Sequence, residues 1–138
     1  MLWFISRGQK NVTLSTAESE YVALSGCVQE VIWVRRLLTF LGFQCTNATV
    51  VYEDNEAAQA LATNDSMTKK SRFVDVRFHY TREMVSEGEI EVRRCPTADM
   101  TADLYTKALC SLILIRHSDN ARGATASRAA MCVVKIRI

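Results

Sequence analysis

Three acidic residues stand where acids can do chemistry. Glu20 lies in Thr16-Ala-Glu-Ser-Glu-Tyr, early in a long amphipathic stretch. Asp54 ends an apolar run, Val50-Val-Tyr-Glu-Asp-Asn, and so falls at the C-terminal end of an expected strand, where open α/β sheets place their functional groups. Asp103 lies in Ala102-Asp-Leu, on what reads as the last helix. Carboxylate oxygens are hard ligands for divalent cations. Two such cations, roughly 3.5–4 Å apart, can clamp the attacking and leaving oxygens of a phosphodiester. Acids drawn together from a helix, a strand end and another helix would form a site of that kind. Each acid also has a plainer explanation, since the chain carries 15 of them. Glu20 suits the positive end of a helix dipole, and Asp54 suits a helix cap.

No competing constellation offers better chemistry. The chain has no G-x-S-x-G, no P-loop and no G-x-G-x-x-G. The two histidines, His79 and His117, sit in no motif, and His79 reads as a partly buried helix residue. Cysteines stand at 27, 45, 95, 110 and 132, an odd number with no C-x-x-C pair. That spacing does not make a zinc site, and reduced intracellular thiols are the expected state. Lys69-Lys-Ser-Arg72 is a basic cluster able to meet phosphates, with Arg82, Arg93 and Arg94 as possible extensions. A solvated loop explains the same cluster equally well. Trp3 and Phe4 read as packing residues rather than base-stacking platforms.

The elements that must position these residues alternate between strand and helix. Leu2 to Arg7 is apolar and β-prone and is closed by Gly8. Ser15 and Glu18 have capping-box spacing. A helix is expected from about Ala17 to Leu41, with Tyr21, Leu24, Val28, Val31, Ile32 and Arg35 at threes and fours on one face. Gly42 is a natural stop. Ala48 to Glu53 reads as a buried strand, and Asp54 and Asn55 lead into a short helix over Glu56 to Ala62. A polar, basic loop covers Thr63 to Arg72. A third helix covers Val74 to Ser86, with Val76, Tyr80 and Met84 on one face and Gly88 as its end. Glu89 to Arg94 alternates like a strand with one wet face, and a final helix is expected over Ala98 to Leu109. The order β-α-β-α-α-β-α defines an α/β domain.

Composition sets the outer limits. The chain has 138 residues, 49% hydrophobic and 23% charged, which is the texture of one globular domain. A disordered chain, a collagen-like chain and a coiled-coil rod are excluded. The net charge of +2 excludes a strongly basic DNA-coating protein. It also hides an asymmetry, because residues 1–109 carry net −2 and residues 110–138 net +4. No apolar run approaches the ~20 residues of a membrane span. The first residues show no basic n-region and no cleavage site, so no signal peptide is expected.

Several of these segments, in this order, resemble one family. The run Ser6 to Ser25, containing Thr16-Ala-Glu-Ser-Glu-Tyr-Val-Ala-Leu, is similar to the signature around the first helix of the ribonuclease H domain in copia-type LTR retrotransposon Pol polyproteins. The resemblance continues through Val28-Gln-Glu-Val-Ile-Trp-Val-Arg-Arg-Leu-Leu and Val50-Val-Tyr-Glu-Asp-Asn-Glu-Ala-Ala. It then takes in Val74-Asp-Val-Arg-Phe-His-Tyr-Thr-Arg-Glu, Gly88-Glu-Ile-Glu-Val and Thr101-Ala-Asp-Leu-Tyr-Thr-Lys. Together these motifs cover about residues 2 to 109.

The resemblance implies a ribonuclease H-like α/β fold and cleavage of the RNA strand of an RNA–DNA hybrid, with four carboxylates and two Mg²⁺ ions. Matched residue by residue, it assigns catalytic and metal-binding roles to Glu20, Asp54 and Asp103, the acids singled out above. In that reading the basic loop of Lys69, Lys70, Ser71 and Arg72, singled out above from its own residues, would hold the hybrid. The reverse transcriptase and integrase regions of one polyprotein are the implied partners. The implied setting is cytoplasmic or nuclear, with no membrane and no secretion. The family's first catalytic Asp and first two strands have no match here, so the fold is expected to be incomplete, with three strand segments, and this chain alone is expected to be inactive. Phe73 stands where the family often has His. Residues 110–138 do not resemble the family and are expected to be a poorly ordered basic tail, as in a fragment of a decayed element. Besides the nuclease, two readings stay open: a catalytically dead nucleic-acid-binding remnant, and a product that does not fold.

Overall fold

The computed structural model describes residues 16–63, 75–105 and 107–122. Helix α1 (Thr16–Phe40) leads to strand β1 (Thr49–Glu53), helix α2 (Glu56–Thr63), helix α3 (Asp75–Ser86) and strand β2 (Ile90–Arg94). Two short 3-10 turns, Thr97–Asp99 and Thr101–Tyr105, precede helix α4 (Ser111–Arg122). The assembly is mixed α/β. β1 and β2 pair in parallel, in register from Thr49 opposite Ile90 to Glu53 opposite Arg94. Parallel neighbours need a crossover, and α2 and α3 supply it.

The helix ends follow from glycine. At the end of α1, Gly42 N–H donates to Thr39 O and Phe43 N–H to Leu38 O. At the end of α3, Gly88 N–H donates to Val85 O and Glu89 N–H to Met84 O. Both are Schellman closures, with Gly42 at φ 89° and Gly88 at φ 72°. A side chain with a Cβ would be strained at either position. α2 begins on Asn55, whose Oδ1 accepts from Ala57 N–H at 2.9 Å and Ala58 N–H at 3.2 Å.

The core is built where helix and strand periods meet. From α1 come Tyr21, Leu24, Val28, Val31 and Ile32, the stripe expected from its spacing. Val51 of β1, Ala58 and Ala62 of α2, Met84 of α3, and Ile90 and Val92 of β2 complete it. Tyr80 packs against the cluster. The side chain of Val76, expected on the same face, lies outside the description. Arg35 ends the α1 stripe with its guanidinium donating to Glu89 Oε2 (2.7 Å), Asn47 O (2.8 Å), Thr49 Oγ1 (2.9 Å) and Cys45 O (3.0 Å). That one side chain joins α1 to the segments leading into both strands.

Three expectations need correction. The helix over Ala98–Leu109 is replaced by the two 3-10 turns, because Met100 adopts an extended conformation (φ −70°, ψ 96°) and is buried at 3% exposure. Thr and Asp in this stretch are weak helix formers, so packing of Met100 prevails over the helical pattern. His79 is exposed rather than partly buried. Part of the expected poorly ordered tail forms α4, with His117 buried at 1% exposure. The expected strand Leu2–Arg7, with Trp3 and Phe4, the capping residue Ser15 and the residue Phe73 lie outside the described residues. The two expected strands that fall on described residues are both present, as β1 and β2. No described helix is long and apolar enough to cross a membrane.

Candidate metal centre

Strand alternation places one acid where apolar residues otherwise stand. Val51 and Glu53 share the buried face of β1, at 0% and 5% exposure. Burying a carboxylate is costly unless something compensates. Part of the compensation is Asn55 N–H, which donates to Glu53 Oε1 at 3.0 Å. Asp54 follows at the strand end, half-buried, and its Oδ2 accepts from Thr97 Oγ1 at 3.4 Å. Asn55, not Asp54, caps α2, so the cap explanation for Asp54 fails.

Glu20 stands one turn inside α1, beside the fully buried Tyr21. The first turn holds Glu18 instead, so the dipole explanation fits Glu18 better than Glu20. Burial raises the Tyr21 hydroxyl above its ordinary pKa, while neighbouring Thr81 and the Arg82 charge pull it partly back.

The fold brings Glu20, Glu53 and Asp54 together. Each offers a carboxylate oxygen, and the three oxygens lie within 4.8 Å of one another. Ligands on one Mg²⁺, with bonds of about 2.0–2.1 Å, are at most about 4.2 Å apart, and on one Ca²⁺ about 5 Å. This spacing is therefore that of side chains able to close on one hard cation. An all-carboxylate donor set suits Mg²⁺, Mn²⁺ or Ca²⁺ and not zinc.

Asp103 is not in that cluster. It lies on the second 3-10 turn at 3% exposure, and Lys107 Nζ donates to its Oδ2 at 2.6 Å. Its Oδ1 is buried without a hydrogen-bond partner among the described residues. The structure thus brings together two of the three acids expected from sequence, holds the third apart, and adds Glu53, which the sequence reading missed. The signal for Glu53 was present: an acid at the inward phase of a strand whose other inward residue is Val51.

Lys69, Lys70, Ser71 and Arg72 lie outside the described residues. Their suggested extensions are engaged elsewhere. Arg82 Nε donates to Leu61 O at 3.0 Å, Arg93 forms a forked pair with Glu91 at 2.6 and 2.7 Å, and Arg94 pairs with Glu56. The fully exposed Glu91 carboxyl is held below its usual range by the hydrogen bond from Arg93.

A carboxylate cluster at the carboxyl end of a parallel strand defines the class: an α/β domain with a site able to hold a hard cation. Comparison with known proteins places the chain beside retrotransposon proteins. It is 36% identical over 121 residues to the retrovirus-related Pol polyprotein from transposon TNT 1-94 of Nicotiana tabacum, covering 83% of this chain and 9% of that protein. It is 34% identical over 104 residues to the Pol polyproteins from transposons RE1 and RE2 of Arabidopsis thaliana, covering 75% of this chain and 7% of each. These are homologues, and the chain spans less than a tenth of their length. No family model matches the chain, and no solved structure matches it.

Proposed function

We propose that this chain is a retrotransposon-derived, ribonuclease H-like module that hydrolyses the RNA strand of an RNA–DNA hybrid with Mg²⁺. The observation that carries the proposal is the meeting of Glu20 and Asp54. They come from distant motifs of the resemblance, on a helix and at a strand end, yet offer oxygens within 4.8 Å of each other. The homology to transposon Pol polyproteins supports the same reading.

In this mechanism Glu20 and Asp54 hold the cation, and Thr97 orients the Asp54 carboxylate through its hydroxyl. The cation, when bound, supplies electrostatic stabilisation of the attacking and leaving oxygens. Lys69, Lys70, Ser71 and Arg72 hold the phosphates of the hybrid, and 2′-hydroxyls and backbone shape distinguish it from duplex DNA. Asp103, which the resemblance also makes a ligand, pairs with Lys107 through Oδ2 and leaves Oδ1 unpartnered among the described residues. In an intact element, the reverse transcriptase and integrase regions of the same polyprotein would be its partners.

The ion pair at Asp103 favours a second reading, in which the chain binds the hybrid without cutting it. The test is cleavage of an end-labelled RNA–DNA hybrid by the purified chain with Mg²⁺, beside Asp54→Asn. Cleavage that is lost in Asp54→Asn and in EDTA supports the nuclease. Binding without cleavage, unchanged by Mg²⁺, replaces it with the second reading.

A further inference from the structure

We infer that the outer face of α1 is a self-association surface, on which a second copy of this chain docks antiparallel, with each Phe40 ring over Gly26 of the other copy. The inference is independent of the cation site proposed above. The core uses one face of α1, that of Tyr21, Leu24, Val28, Val31 and Ile32. The opposite face is apolar as well. Trp33, Leu37 and Phe40, with Leu41 just past the helix end, follow one another at threes and fours and are 51, 39, 86 and 59% exposed. Phe43, held beyond Gly42 by its N–H bond to Leu38 O, continues the patch at 62% exposure.

The size of the patch matches an interface. An aromatic side chain buries about 150–250 Å², so the exposed parts of Trp33, Phe40 and Phe43 amount to about 400 Å². Leu37 and Leu41 bring the patch to roughly 500 Å², the upper range for a monomer's largest apolar patch. Two copies face to face would bury roughly 1,000 Å² from these residues alone, the threshold for a specific contact. The exposed Gln29, Arg36 and Thr39 border the patch and add to that area. An apolar centre with a polar rim is the usual anatomy of an interface.

Gly26 identifies the occupant as a second copy. It stands in the interior of α1, seven residues before Trp33 and on the same outer face. Glycine weakens a helix interior. Here an added Cβ would meet no described atom within 4 Å, so packing among the described residues does not call for glycine. The missing side chain leaves a notch, and Phe40 stands seven residues beyond Trp33 on the other side. Two antiparallel helices crossing at Trp33 therefore set each Phe40 over the partner copy's notch, about 10 Å from the crossing point. Knob and notch on one stripe make the face complementary to itself, as a two-fold contact requires. Glu20 lies thirteen residues before Trp33, about 20 Å along the axis, so the carboxylate corner stays clear of the contact.

The experiment is sedimentation velocity of the full chain over a concentration series reaching hundreds of micromolar. Wild type, Phe40→Glu, Gly26→Leu and Gly26→Ala are compared, with Leu112→Gln as a control on the exposed apolar run of α4. The expected result is a reversible monomer–dimer equilibrium, at least tenfold weaker in Phe40→Glu and Gly26→Leu and unchanged in Leu112→Gln. Gly26→Ala separates interface from fold. Alanine is the better helix former, so Tm of the dilute monomer rises while the dimer weakens severalfold. A monomer throughout the series would overturn the inference. So would a dimer that Leu112→Gln weakens and Phe40→Glu does not, because association would then belong to α4. Loss in Phe40→Glu with full dimerisation in both Gly26 variants would overturn the antiparallel arrangement. If Gly26→Leu fails to unfold cooperatively, Gly26→Ala decides by the same comparison.

Discussion

Arg35 is the residue whose loss should be felt furthest from its own position. Arg35→Met keeps the apolar stem and removes the guanidinium. Three of the lost bonds go to uncharged acceptors, Cys45 O, Asn47 O and Thr49 Oγ1. Each is worth about 1 kcal/mol net. The fourth goes to Glu89, whose side chain is 44% exposed, so solvent screening limits it to about 0.5 kcal/mol. The sum is about 3.5 kcal/mol, or roughly 10–15 °C in Tm for a domain of this size. Arg35→Lys should lose about 2 kcal/mol, because one ammonium cannot reach acceptors spread around a planar fork. The assay is urea unfolding followed by far-UV circular dichroism, comparing midpoints at unchanged slope. A loss below about 1 kcal/mol in Arg35→Met, or full stability in Arg35→Lys, would refute the reasoning. The carbonyls of Cys45 and Asn47 would then be as well served by water.

Two further outcomes are expected. Asn55→Ala should cost about 1 kcal/mol through loss of the α2 cap, while Asp54→Asn leaves stability unchanged or raised; the reverse order in thermal melts would return the cap to Asp54. The buried Tyr21 hydroxyl holds its proton more tightly in the native state than in the unfolded chain, whose value is near 10.0. Its contribution to stability is therefore complete below pH 10 and declines as pH rises from there through the higher native value. Tyr21→Phe should flatten that decline, and parallel stability curves for the two proteins above pH 10 would show that Tyr21 does not titrate in this way.

Much of the scaffold was legible because its signals are local. The α1 stripe from Tyr21 to Ile32, the glycine closures at Gly42 and Gly88 and the β1 run rest on side-chain period and on backbone conformations that particular residues favour. Such rules act within a few residues, so a single sequence carries them. The stretch after Pro96 was misread for the same reason. Its local pattern is compatible with a helix, and only the burial of Met100 holds it extended. Arg35 read as one more member of a helical face, since its four acceptors come from a loop and from the residues leading into two strands.

The site divides along the same line. Types and motifs in the sequence alone singled out Glu20, Asp54 and Asp103 and the hard-cation chemistry they offer, because carboxylate chemistry belongs to the residue. Which carboxylates share a site belongs to distance, and distance between remote residues is decided by packing. Only the tertiary structure put Glu53 beside Glu20 and Asp54 and tied Asp103 to Lys107. It also gave the helix cap to Asn55 rather than Asp54. Each of these outcomes depends on where β1 ends against α1 and on how the turns after β2 fold back. A linear pattern does not contain that geometry, because the core that enforces it is assembled from five elements at once.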